Sequence, residues 1–343
     1  MPEPVPATRD DAHTIPKVEL HVHLGGSITE ATALELCRRH GEDAATLGLV
    51  DGRYPVPYPD FPGFLRALMA ANAVVRTPDD LELVARRFAE AQAAQGVAWT
   101  EVIVTAMTYA RNGIGKRPMW EAIRSGLAAG GTDTRIGIIV DTIRDFGRQE
   151  AFDTLSLVDG ADAPIVGLGL TGIEGTMPAA TFVPLEREAR RLGFGFEVHA
   201  GEMGPPESVS ESLDILHADR IGHGVASIRD PELVQRLVRD QTPVEVCPSS
   251  NVGISAYPSL AEHPIGPLWE AGVNVSVNSD DPPFFATTLV DELHAVTNLV
   301  GLTRADLAEL QRRAARAAFL PAADRQDLVR RIDAWEAGPV VGG

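Results

Sequence analysis

VELHVHLGGS, residues 18–27, is a short apolar strand that runs into two glycines and a serine. Alternating residues of a strand share a face, so His21 and His23 point the same way. An open, doubly wound sheet would place a phosphate loop here, of the form GxGxxG or GxxxxGK[ST]. Neither pattern is present. Downstream, apolar strand patterns recur at 97–104, 134–140, 164–170, 193–199, 220–224, 243–247 and 273–279. Helical patterns separate most of them, around 118–129, 145–158, 181–191, 207–217, 230–239 and 260–271, and two more follow at 289–300 and 303–318. Strands alternating with helices imply a parallel sheet, and eight in succession predict a closed (β/α)8 TIM barrel of α/β class.

The remaining segments fit around that frame. Residues 1–14 read as a loose N-terminal leader, 15–335 as a single barrel domain and 336–343 as a C-terminal tail. After the first strand, Ser27 or Thr29 can cap a helix that Gly41 closes. The Pro- and Tyr-rich stretch that follows is too long for a simple connection, so about 42–75 is expected to be a lid-like helical or irregular insertion. Within it, the Pro/Phe stretch 58–68 suits either an apolar wall over a pocket or plain packing. Thr77, Asp79 and Asp80 open a capped amphipathic helix over 77–95.

The chain has 343 residues, 44% hydrophobic and 23% charged, which supports a sizeable core rather than disorder. Its 30 Lys and Arg against 48 Asp and Glu give a formal net charge of −18. That balance argues against a nucleic-acid polymer or an anionic membrane as partner, while a single anionic small molecule stays compatible with a local site. No stretch approaches a membrane span and no secretory signal is present, so the expected compartment is the cytoplasm. Cys37 and Cys247 are too few for a disulfide scaffold or a thiolate zinc site. Nothing in the sequence specifies an oligomeric state.

In a barrel, chemistry collects at the C-terminal ends of the strands. Polar residues gathered there are His21 and His23, Gly172, His199 with Glu202 in its loop, His223, the run Ser249, Ser250 and Asn251, and Asp280 with Asp281. Imidazole nitrogens and a carboxylate are zinc donors, so His21, His23, His199 and Asp280 form a candidate site for one zinc ion. Such an ion lowers the pKa of a bound water toward 7. Glu202 stands near it without ligating and can move protons, and His223 can orient or deprotonate the water. Asp281 diverges from Asp280 toward substrate. The other histidines, His13, His40, His217, His263 and His294, read as surface or packing groups, and Cys247 as core.

PKVELHVHLGGS (16–27), HAGEMGPPESV (199–209), RIGHGV (220–225), VEVCPSSN (244–251) and VNSDDPPFF (277–285) together resemble the adenosine deaminase family of the metal-dependent amidohydrolase superfamily. The resemblance implies a (β/α)8 barrel that hydrolyses the 6-amino group of a purine with one zinc ion. By matching position, His21, His23, His199 and Asp280 are similar to the zinc ligands, with His23 also beside the substrate. Glu202 resembles the proton donor to purine N1, and His223 the residue that handles the activated water. Asp281 resembles the aspartate that positions the water and contacts N7. Gly172 resembles the glycine whose N–H reaches N3. Adenosine deaminases read HLDG where this chain has Gly25, and that aspartate contacts the ribose 5′-hydroxyl. They also carry an acid after the glycine where this chain has Ile173.

The first expectation is deamination of adenosine or 2′-deoxyadenosine to inosine or 2′-deoxyinosine plus ammonia. The alternatives are a 5′-modified adenosine (aminodeoxyfutalosine, 5′-methylthioadenosine or an AMP derivative) or free adenine. Relatives that act on adenine carry HxEG with RIDHG, whereas this chain has RIGHG. Loss of the carboxylate at Gly25 is expected to add space at the 5′ side. A non-catalytic, deaminase-like binding protein of the same fold is a further alternative, which predicts a broken ligand set.

Overall fold

Eight strands form where the apolar runs fall: β1 (Lys17–His23), β2 (Val97–Val104), β3 (Arg135–Ile143), β4 (Ile165–Thr171), β5 (Gly195–Ala200), β6 (Arg220–His223), β7 (Val244–Val246) and β8 (Val275–Val277). The computed structural model describes residues 5–338. The strands pair in parallel in sequence order. Parallel strands are covered on both faces, which is why β2 is buried at every residue and is apolar apart from Thr100 and Glu101.

Beyond β8 the chain returns to β1 and closes the ring. Val22 bridges Asp280 in parallel. The His23 N–H donates to Asp280 O at 2.9 Å, and the Asp280 N–H donates to His21 O at 3.1 Å. The fold is therefore a (β/α)8 barrel with a helical insertion after its first strand.

The lower barrel is plugged by a buried ion network rather than by aliphatic layers alone. Arg220 is buried between Glu101, at 2.6 Å, and Glu245. The Phe319 ring lies 3.6 Å below its guanidinium, a cation–π contact. Gly195 makes room for that ring, since a Cβ there would lie 2.3 Å from Phe319 Cδ1. Pairing and stacking together offset the cost of burying this cation.

The leader is ordered in its second half, which corrects the expectation of a loose segment over 1–14. Arg9–Thr14 is a helix whose Thr8 and Asp11 form a reciprocal capping box. Asp11 pairs with Arg304. Buried Lys17 donates to the carbonyls of Ala12, His13 and Ile15 at its C-terminal end, at 3.1, 2.6 and 2.9 Å. Residues 1–4 of the leader, and 339–343 of the tail expected from 336, lie outside the described residues. A further helix, Ala322–Ala337, runs two residues into that expected tail.

Thr29 caps the helix Glu30–His40, and Gly41 ends it with φ of 68°. The insertion holds the helix Phe61–Ala73, capped by Asp60. Its aromatic side chains pack on the loop after β8. Tyr54 stacks on Phe284 at 3.9 Å between centroids, and Phe64 lies 5.1 Å from Phe285. Insertion and Asp280–Asp281 loop are thereby tied together. Cys37 and Cys247 are buried free thiols, as expected. Among the described residues no helix is long and apolar enough to cross a membrane.

Candidate metal centre and active site

Four side chains meet at the C-terminal mouth of the barrel. His21 Nε2 lies 3.5 Å from Asp280 Oδ1, and His23 Nε2 lies 3.3 Å from the same oxygen. His23 Nε2 and His199 Nε2 are 3.2 Å apart. The pair on β1 thus faces one point, with β5 and the β8 loop supplying the other donors.

Two of the three imidazoles have a carboxylate behind them. His21 Nδ1 is 2.9 Å from Glu245 Oε2, and His199 Nδ1 is 3.1 Å from Glu197 Oε1. Donation from His21 Nδ1 to Glu245 leaves a lone pair on its Nε2, the form that ligates a metal. His21 Nε2 is buried and has no hydrogen-bond partner. Burial, with His21 and His23 nearby, keeps His199 well below the usual histidine range and so neutral. An orphaned, lone-pair-bearing nitrogen beside two more imidazoles and a carboxylate fits a tetrahedral zinc ion. Cys247 lies within reach of His21 and Asp280. Its thiol is pushed far up by burial and by Asp280.

The backbone is bent into place. His223 and Asp280 are non-glycine residues with φ of 61° and 62°. Residues in this region cost on the order of 1–3 kcal/mol and persist where surroundings hold them. Asp280 is held by its two bonds to β1. Gly222 is a space requirement: a Cβ there would lie 2.3 Å from Glu197 Oε1 and 2.9 Å from His21 Cε1. A carboxylate at 222 has no room beside Glu197.

The expected proton-handling residues sit around this point. His223 Nε2 lies 3.5 Å from Glu202 Oε1 and 3.9 Å from Asp280 Oδ2. Burial, then Asp280 and Glu174, push the Glu202 carboxyl well above the usual range. A carboxyl whose affinity for its proton is raised in this way is suited to act as a general acid. Asp281 Oδ1 is buried without a partner. Gly26 lets it approach, since a Cβ at 26 would fall 1.6 Å from that oxygen. Gly172 has φ of 98°, and a Cβ there would strike Asp145 Oδ2 at 2.2 Å.

Several residues outside the sequence-derived set complete the site. Glu174 accepts the N–H groups of Gly201, Glu202, Met203 and Gly204 at 2.6–3.0 Å, and the Ser208 hydroxyl at 2.5 Å. One carboxylate therefore fixes the whole loop that carries Glu202. The acid absent at Ile173 is found one position later. Buried Arg144 donates to His199 O at 2.5 Å and to the carbonyls ending β4.

At the 5′ side the structure corrects the expectation of added space. A Cβ on Gly25 would meet Asn72 Oδ1 at 2.5 Å. The Asn72 amide donates to Gly25 O at 3.2 Å and to Leu68 O at 2.9 Å. The insertion helix delivers a neutral amide where the family has a carboxylate. The signal was weak: Asn72 follows a Phe- and Pro-rich segment with no clean helical period.

Comparison with known proteins agrees with this geometry. Residues 16–335 match the family model for adenosine deaminase. An aminodeoxyfutalosine deaminase of Streptomyces avermitilis is 34% identical over 330 residues, covering 94% of this chain and 92% of that protein. The crystal structure of an adenine deaminase from Arthrobacter aurescens superposes with a TM-score of 0.87 at 30% identity, over 94% of this chain and 99% of that one. An amidohydrolase from Burkholderia ambifaria, solved with bound zinc, superposes with a TM-score of 0.85 at 26% identity, over 96% and 97%. A barrel with these donors at its mouth, matched to one family model over nearly its whole length, belongs to the adenosine deaminase family.

Proposed function

We propose that this enzyme hydrolyses the 6-amino group of an adenine-containing nucleoside that carries a substituent at its 5′ end, with aminodeoxyfutalosine as the leading candidate. Hydrolytic deamination of a purine-derived compound is the activity its family and relatives support. The observation that carries the chemistry is the Glu202 carboxyl, 3.5 Å from His223 and beside a four-donor centre.

His21, His23, His199 and Asp280 would hold the zinc ion, which when bound supplies a Lewis acid and lowers the pKa of a ligated water. Purine C6 is a poor electrophile until N1 is protonated. Glu202 donates that proton. Asp281 takes the water's proton, and His223 orients the water beside C6. Gly172 presents its N–H to N3. The water oxygen becomes the 6-oxo group, the C6–N bond breaks, and ammonia leaves with the protons.

The 5′ reading rests on Asn72, which fills the Gly25 position with a neutral amide. A site without the carboxylate lacks the partner that selects a free 5′-hydroxyl. Loops after β3, β4 and β5 also carry exposed Phe146, Ile173, Met177 and Met203, apolar groups suited to an apolar 5′ substituent. Free adenine is the second reading, favoured by the superposition on the Arthrobacter adenine deaminase. Against it stands Gly222, where Glu197 leaves no room for the aspartate of RIDHG.

A panel of aminodeoxyfutalosine, 5′-methylthioadenosine, AMP, adenosine and adenine discriminates these readings by kcat/KM. The 5′-modified nucleoside should exceed both adenosine and adenine by roughly 10- to 200-fold, the range one contact provides. Highest turnover of adenine would establish the second reading, and a clear preference for plain adenosine would overturn the 5′ proposal.

Glu174 gives a separate expectation. Glu174→Ala releases four backbone N–H groups and frees the Glu202 loop. Misplacing a reacting group by about 1 Å costs about 100-fold. Steady-state kinetics should show that loss in kcat with zinc content unchanged. Parent-like kcat would mean that the loop holds itself.

A further inference from the structure

His263 lies in the AEHP turn, far along the chain from the site, yet it is buried and linked to His223. Its Nδ1 accepts the backbone N–H of Ile265 at 3.1 Å. Its Nε2 lies 3.1 Å from Asn251 Oδ1. The Asn251 amide nitrogen lies 3.3 Å from His223 Nδ1. All three side chains are buried, at 3%, 0% and 1% exposure.

We propose that His263 and Asn251 are positioning residues that fix the ring orientation and tautomer of His223. The proposal rests on the reading that His223 faces the reacting water. The Ile265 N–H is a donor whose identity is not open to choice. A backbone N–H can only donate, so His263 Nδ1 must carry a lone pair. Neutral His263 then carries its proton on Nε2. Burial favours this neutral form, depressing the imidazole to about 4. That Nε2–H must meet an acceptor, so the Asn251 carbonyl oxygen faces His263. The Asn251 NH2 group is thereby turned to His223, whose Nδ1 accepts. Neutral His223 therefore carries its proton on Nε2, the nitrogen that faces Glu202 and Asp280. It meets the water as a hydrogen-bond donor.

The backbone N–H of Ile265, the first residue of the helix Ile265–Glu270, thus sets, through two side chains, which nitrogen of His223 bears hydrogen. The surrounding helix supports the relay: Asn251 sits in Pro248–Gly253, and its N–H bonds to Cys247 O at 3.0 Å.

Long-range 1H–15N correlation on zinc-loaded full-length protein labelled with 15N-histidine tests this without any turnover. It therefore stands or falls separately from the substrate assignment. His223 signals are those lost in His223→Gln. His223 Nδ1 should be of the unprotonated type and Nε2 of the protonated type. Asn251→Asp replaces the donor by an acceptor of equal shape and should invert that pattern. It should also lower kcat by about 10- to 100-fold, as outer-shell substitutions do, with KM little changed. His263→Gln keeps an amide donor toward Asn251 and should retain the parent pattern, whereas His263→Leu should lose it. These two variants also serve if Asn251→Asp does not fold. A protonated His223 Nδ1 in the parent, or an unchanged tautomer in both Asn251→Asp and His263→Leu, would overturn the proposal.

Discussion

Glu202→Gln is expected to keep one zinc ion per chain and to lose about 10²- to 10⁴-fold in kcat, the usual contribution of a positioned general acid. The amide has nearly the same shape and can still donate a hydrogen bond. What it cannot do is transfer a proton to purine N1. Glu202 is not a metal donor in the proposed set, so metal content should not move. The loop that carries it is fixed through its backbone by Glu174, so the variant should also keep its place. Parallel measurement of zinc content and steady-state rate checks this. Turnover close to the parent's would remove Glu202 from the mechanism.

His21→Ala should have the larger effect. His21 is fully buried, bonded to Glu245 on one side and unpartnered on the other. Its loss leaves three donors and a Glu245 that keeps only Arg220. Zinc content after desalting should fall well below one per chain. Activity should drop on the order of 10⁴-fold or more, because the water pKa is no longer lowered. Thermal melts give an independent check. Zinc at about 100 times its Kd adds roughly 2.7 kcal/mol to the parent through binding linkage. The variant should show little rise in melting temperature on zinc addition. A variant that holds a full equivalent of zinc and melts like the parent would show that the donor set lies elsewhere.

Much of the architecture was legible because buried parallel strands are continuous apolar runs. β2 falls at residues 97–104 as read, and the other strands within about three residues. The absence of a phosphate loop after VELHVHL separated barrel from open sheet. Helix caps were legible too: Thr29, Thr77 and Gly41 all act as expected. Less visible were elements without periodic burial. The helix Ala322–Ala337 buries only Leu328 and Ile332, and so gave little pattern. The helix Phe61–Ala73 was masked by the prolines and aromatics around its start.

Site residues divide in the same way. Those at strand ends could be found by counting along strands, as His21, His23, His199, His223 and Asp280 show. Residues that act through contacts between distant segments could not. His263 read as a packing or surface group because nothing local reveals that Asn251 lies against it. Glu174 gave no signal in the sequence, since its partners are backbone N–H groups of another loop. Asn72 stands in the Gly25 position only because the insertion folds back over the barrel mouth. Each requires the three-dimensional closure that the barrel supplies.

The central claim is a single-zinc centre that deaminates a 6-aminopurine. Titrating metal-free protein with zinc, while recording ammonia release from the best substrate of the panel, tests it most directly. Activity should rise linearly and level off at one zinc ion per chain, with one ammonia formed per 6-oxo product. Ammonia release that is independent of zinc, that requires two ions per chain, or that is absent for every 6-aminopurine would contradict it.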